Sequence, residues 1–152
     1  MRLEPTVSQD ISTLPWDSAE FYHYAHPIAA RRLGFVEHKG KRILTIDSRG
    51  ADLQTVRAIA AECWRMVSKE QLKSVRTLNN LEGAEFSSES VRIMSELVTK
   101  NRPYVVRGAL IGIKGMRFFA YQTVVSLTKR PLKLFERREE ALDWLALEGE
   151  EG

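Results

Sequence analysis

Cysteine is almost absent from this chain: Cys63 stands alone among 152 residues. No disulfide can close within it, which fits a reducing compartment and leads us to expect a cytoplasmic protein. Histidine is scarce too, with His23, His26 and His38. No apolar run approaches the ~18 residues that a membrane span requires. No basic stretch followed by an apolar one opens the chain, so no secretory leader is expected. Zinc-finger spacing, RNA-binding signatures and runs of five basic residues are all missing, so no specific nucleic acid is expected as a partner. Internal repeats and low-complexity segments are missing as well.

These absences bear on chemistry. An enzyme needs a nucleophile beside a base, or paired carboxylates with a reason for shifted pKa values. None of the three histidines falls at the C-terminal end of a parallel strand in the pattern read below, so no catalytic residue is expected. His23 and His26 are one helical turn apart, but no further ligand matches their spacing, so no metal site is expected either. Cys63 sits within an apolar helical stripe and reads as an inert core thiol. No cofactor fingerprint is present.

What is there is ordinary for a globular protein: 43% hydrophobic and 28% charged residues in a length suited to one domain. The net charge is +3. Glu148, Glu150 and Glu151 close the chain, so the body before them carries 23 basic against 17 acidic side chains, or +6. That excess reads as a solvated surface or as affinity for an anionic partner.

Residues 1–32 hold Pro5, Pro15 and Pro27 and read as an arm with a short helix. Asp17 is placed to cap that helix, Glu20 follows three residues on, and Pro27 should end it. Residues 1–14 read as irregular and removable. Trp16, Phe21, Tyr22 and Tyr24 should pack on the body or on a second subunit. Residues 33–39 alternate, Lys39-Gly40 makes a turn, and residues 41–47 form a second strand whose Ile43–Ile46 run predicts burial on both faces. Asp52 should cap a helix to about Ser68, with Val56, Ala60, Cys63 and Val67 as its core stripe. A strand ending at Asn79, a polar loop, and a helix from Ser87 or Ser88 come next, with Val91, Ile93, Met94, Leu97 and Val98 inward. Residues 104–113 are a long apolar strand. The helix 116–128 is apolar nearly all round and is broken by Arg130-Pro131. A short strand and a helix bearing Ala141, Leu142 and Leu145 finish the pattern.

The order β-β-α-β-α-β-α-β-α predicts an α/β fold with a mostly parallel sheet and one antiparallel edge strand. Domain limits follow: an arm over 1–32, a domain over 33–147 and an acidic tail over 148–152.

Four stretches, LTIDSRGAD, TLNNLEGAEFSSESV, NRPYVVRGALIGIKGMR and PLKLFERREEALDWL, resemble small bacterial STAS-like domains, the fold of anti-sigma factor antagonists. The resemblance covers residues 33–147. At superfamily level it extends to CRAL-TRIO lipid-transfer modules. It implies a non-enzymatic interaction or regulatory module with a protein partner. In the antagonists a serine at a helix start, in an Asp-Ser-Ser-Gly motif, is phosphorylated and partner binding is lost. Here Phe86 fills the preceding hydrophobic position, Ser88 matches that serine, and Ser87, Glu89 and Ser90 replace the other three residues.

Two groups of residues therefore stand out. Asn79, Asn80, Glu82, Ser87 and Ser88 are partner-binding or phospho-switch candidates; their plainer reading is turn formation and helix capping. Gly112, Lys114, Gly115 and Arg117 could cradle an anion at a helix start, with Arg49 and Arg107 adding charge; their plainer reading is a tight strand–helix turn. The alternative function is a small-ligand or lipid carrier using that helix start. A homodimer through the apolar 116–127 helix or the aromatic arm is the further partner expectation.

Overall fold

The computed structural model describes residues 10–128 and 132–148. The start of the arm, the Arg130-Pro131 break and the tail beyond Glu148 lie outside the described residues. β1 (Leu33–His38) and β2 (Lys41–Asp47) form the hairpin expected from Lys39-Gly40. Both turn residues have positive φ, 51° and 82°, as a type I′ turn requires. β3 (Val75–Asn80), β4 (Val105–Ile111) and β5 (Leu132–Leu134) complete a sheet ordered β1-β2-β3-β4-β5. β1 and β2 are antiparallel; every later pair is parallel.

Each parallel step moves one strand further in the same direction. Right-handed crossovers then put the intervening helices on one face. These are α2 (Leu53–Val67), α3 (Ser88–Asn101) and α4 (Met116–Thr128). Leu44 and Ile46 pack with α2, and Leu110 packs with Tyr121 and Val125 of α4. The opposite face is taken by α5 (Arg138–Leu145), whose Ala141, Leu142 and Leu145 close over Ile43, Leu78, Ala109 and Ile111. β2 is thus buried on both sides, as its Ile43–Ile46 run predicts.

Asp52 caps α2 through the Thr55 N–H at 2.9 Å, and the expected stripe is buried. Burial pushes the Cys63 thiol up to about 12, the inert state expected of it. On α3, Ile93 is the fully buried apolar residue; Val91 and Val98 are half-buried.

Several expectations are corrected. α1 (Ala19–Ala29) is capped by Ser18, whose Oγ accepts from the Phe21 N–H at 3.1 Å; Asp17 instead pairs with Lys100 at 3.2 Å. α1 also runs through Pro27. Ala25 and Ala29 are completely buried with α2 in one core cluster, and that packing outweighs the backbone N–H that proline lacks. Trp16 and Phe21 join the same cluster. Ile11 and Leu14 pack on it as well, and the Arg57 guanidinium donates to both of their carbonyls. Residues 10–14 are therefore in contact with the core.

Arg107 is the main correction. It is fully buried on the α5 face, not at the end of the strands. Its guanidinium donates to the Trp144 carbonyl at 2.7 Å and the Glu148 carbonyl at 3.5 Å. Its register neighbour Arg76 donates to the Leu147 carbonyl at 3.2 Å. The two strand cations donate to carbonyls at and just beyond the C-terminal end of α5, where positive charge is favoured. Arg107→Met should cost about 2 kcal/mol, the scale of hydrogen bonds to a charged group; urea denaturation against wild type measures it.

Acid should also destabilise the chain by an identifiable route. Arg49 holds the Asp47 carboxyl below the usual carboxylate range, the Thr55 N–H does so for Asp52, and His38 does so for Asp143. Depressed carboxyls contribute stability above their unfolded pKa of about 4 and lose it as pH falls through their folded values. The melting temperature should stay level from pH 7 to about 5 and drop below about 4. Asp52→Asn should flatten part of that drop.

Candidate functional site

β2, β3 and β4 run parallel, so the loops that follow them meet at one edge of the sheet. Open α/β sheets usually place their sites there. Backbone bonds stitch the loops together. Ser48 N–H donates to the Asn80 carbonyl at 2.9 Å, and Gly50 N–H to the Glu82 carbonyl at 2.9 Å. Glu85 N–H donates to the Ala51 carbonyl at 2.8 Å, and Leu81 N–H to the Ile111 carbonyl at 2.8 Å. From the side of α4, Arg117 donates to the Ala84 carbonyl at 3.0 Å, and the Phe86 and Tyr121 rings meet at 5.1 Å. The 81–87 loop mixes exposed Glu82 with buried Leu81 and Ala84 and is anchored on both flanks.

Gly112 makes this closeness feasible. It has φ +83°, and a Cβ there would stand 2.4 Å from Asn80 Oδ1 and 2.7 Å from the Glu82 nitrogen. β4 leaves the sheet directly against the loop that follows β3. Of the first predicted group, Glu82 therefore shares a surface with the second. Glu82, Gly112, Lys114 and Arg117 line a shared cleft of about 290 Å³, floored by Leu81 and Tyr121. Burial raises the Tyr121 phenol, against the pull of Arg117.

The asparagines turn away from this surface. Asn80 Oδ1 accepts from the Glu82 N–H at 3.1 Å, a turn-forming bond, and Asn79 Oδ1 accepts from Ser48 Oγ at 2.8 Å. Ser87 is a cap: its Oγ accepts from the Ser90 N–H at 3.1 Å, and Ser90 Oγ accepts from the Ser87 N–H at 2.9 Å. Ser87 Oγ also donates to Glu85 at 3.0 Å. Ser88 begins the helix and is exposed. Arg49 does not reach the cleft as a spare cation, because Asp47 holds it at 2.9 Å.

A second, larger recess of about 640 Å³ adjoins the first and shares Gly112, Ile113 and Lys114 with it. Gly115, Phe118, Phe119, Glu136 and Arg137 complete its lining. Glu136 and Arg137 were missed in the sequence; β4 and β5 being neighbours puts the segments after them side by side. On α4, Tyr121 and Val125 face the core, whereas Met116 and Phe119 are 84% and 68% exposed. The side chains of Val124 and Leu127 lie outside the described residues. His23 is exposed on α1, and His26 meets Glu62 at 2.8 Å.

No family model matches the chain, and no curated protein matches it. Solved structures do. An uncharacterised protein of the DUF3478 family with a SpoIIAA-like fold, from Shewanella loihica, aligns with a TM-score of 0.62 at 18% identity, over 75% of this chain and 92% of its own. An anti-sigma-factor antagonist (STAS) domain protein from Planctomyces limnophilus aligns with a TM-score of 0.57 at 16% identity, over 76% and 98%. The fold is STAS-like. No helix among the described residues is long and apolar enough to cross a membrane.

The two serines should separate in experiment. Ser87→Ala removes the cap and should cost about 1 kcal/mol, while Ser88→Ala should leave stability nearly unchanged. Gly112→Ala must strain a left-handed backbone, at about 1–2 kcal/mol, and push on the Asn80–Glu82 turn besides. Thermal melts of the three variants check the order: Gly112→Ala lowest, Ser88→Ala closest to wild type.

Proposed function

We propose that this STAS-like chain is a non-enzymatic regulatory module that docks a protein partner at the C-terminal edge of its sheet. The docking surface is the 81–87 loop with the first turn of α3 and the 112–117 turn. One observation carries the reading. The loop is held rigidly by backbone bonds, while Glu82 faces solvent beside Lys114, and Ser88, at the start of α3, is exposed as well. A surface ordered before binding loses little entropy on docking. The solved STAS domain protein of the same fold, described as an anti-sigma-factor antagonist, supports the direction of the reading. The buried thiol supports a reducing, cytoplasmic setting.

Ser88 is the switch position in this reading. Glu85 and Glu89 flank it, and Glu89 is paired with Arg92. A phosphate of charge about −2 there would gain from the helix N-terminus, so it would not melt α3. It would act by burdening the interface with a desolvated charge.

The second reading, a small-ligand carrier, is favoured by the larger recess. Ile113, Phe118 and Phe119 offer it an apolar wall, and Lys114 and Arg137 offer cations. About 640 Å³ is within the range of small-molecule sites. The resemblance to CRAL-TRIO modules points the same way. By contrast, the void beneath the loop, near Ser48 and Met94, is about 30 Å³, too small for more than a water molecule. A second copy of the chain is a further candidate partner, through exposed Met116 and Phe119.

Native mass measurement of protein purified from its own host separates these readings. A co-purifying protein supports the module, a retained small mass the carrier, and a doubled mass the homodimer. With a partner in hand, Ser88→Asp should weaken binding at least tenfold relative to Ser88→Ala, or about 1.4 kcal/mol. Equal binding by the two variants would falsify the switch and leave Ser88 a surface residue.

A further inference from the structure

Away from that edge, at the turn of the opening hairpin, three donor side chains converge. His38 ends β1. Its Nε2 lies 2.8 Å from Asp143 Oδ1 on α5. Glu139 lies one turn earlier on the same helix, so both carboxylates project toward the hairpin. The His38 nitrogen and one oxygen from each carboxylate all lie within 4.8 Å of one another. The residues are far apart in sequence, and parallel pairing alone does not bring them together. α5 must cross back over the sheet to reach β1.

We propose that His38, Glu139 and Asp143 form a binding site for a borderline divalent transition-metal ion, with Zn²⁺ the best match. One imidazole and two carboxylates suit Zn²⁺, with water completing its shell. The geometry is partly built beforehand. His38 is fixed by its ladder pairing with Lys41, next to a two-residue turn. The carboxylates share one helix face. The ion also has a charge to replace. Lys39 Nζ lies 3.0 Å from the same Asp143 oxygen, beside two carboxylates and an imidazole. An ammonium supplies one positive charge there; a divalent ion supplies two and adds direct bonds to all three donors. The Lys39 side chain is 64% exposed, so it can swing into water at little cost. The bound ion would fasten α5, which covers one sheet face, to the edge hairpin. This inference does not depend on the proposed partner-docking function.

Calorimetric titration of the full chain with Zn²⁺ tests it, alongside the visible absorption of bound Co²⁺. One equivalent should bind, raise the melting temperature and give a Co²⁺ band of low coordination number. His38→Gln and Glu139→Gln should each weaken Zn²⁺ binding by about 10–100-fold, the scale seen when metal-site partners are lost. Lys39→Met removes the competing ammonium without removing a ligand and should tighten binding severalfold. It also guards against a His38 variant that merely folds poorly. His26→Gln should change nothing. The proposal is overturned if Zn²⁺ gives no binding, if Ca²⁺ binds as tightly as Zn²⁺, if Lys39→Met leaves affinity unchanged or lowers it, or if His26→Gln rather than His38→Gln abolishes binding.

Discussion

The structure depends on how three neighbouring strand ends are tied together. The end of β3 and the loop after it receive backbone bonds from Ser48 and Gly50 of the loop after β2, and Leu81 gives one to the end of β4. Those bonds satisfy polar groups that a loop of this kind would otherwise present to water. They also set the relative heights of α2, α3 and α4, each of which starts just beyond one of these loops. Gly112 is the tightest point of the arrangement, because backbone and side chain of the preceding loop occupy the space where a Cβ would be. Rigidity at this edge is therefore a property of the main chain. The side chains above it are free to serve recognition.

Much of the scaffold was legible because its signals are local. Lys39-Gly40 specifies a turn whose twist suits a hairpin, and Asp52 caps whatever helix follows it. The Val56–Ala60–Cys63–Val67 stripe needs one apolar neighbour regardless of which. Strands alternating with helices fix parallel pairing once handedness is applied. Where local signals competed, the reading went astray. Ser18 and Asp17 are both good caps, and the choice fell to Ser18 while Asp17 found Lys100 across the fold. Pro27 argues for a helix end, but two alanines buried against α2 argue more strongly.

The candidate site was legible by position and less so by role. That Glu82, Lys114 and Arg117 share a cleft follows from adjacent parallel strands. That Asn79 and Asn80 turn inward does not, since each depends on a bond to a particular donor, Ser48 Oγ or the Glu82 N–H. Arg107 could not be placed for the same reason. Nothing in YVVRGALIGI says which face its arginine takes until the register with β3 is known. The His38–Glu139–Asp143 cluster lay furthest out of reach, because it joins the first strand to the last helix described.

The lopsided layering has a kinetic consequence. Three helices cover one sheet face; α2 is braced by α1 and α3, and Tyr121 of α4 meets Met94 of α3. The other face rests on eight residues of α5, held by Ala141, Leu142 and Leu145 with Trp144 beside them, by the two strand arginines, and by the pairs of Asp143 with His38 and Lys39. Opening of α5 alone would leave the sheet intact yet bare Ile43, Leu78, Ala109 and Ile111 in one strip. Amide exchange should then be graded by layer, with α5 surrendering its protons well before the β2–β4 ladder does. Such an opened form is compact, still folded on one side and adhesive on the other, and it is the species through which this chain would aggregate.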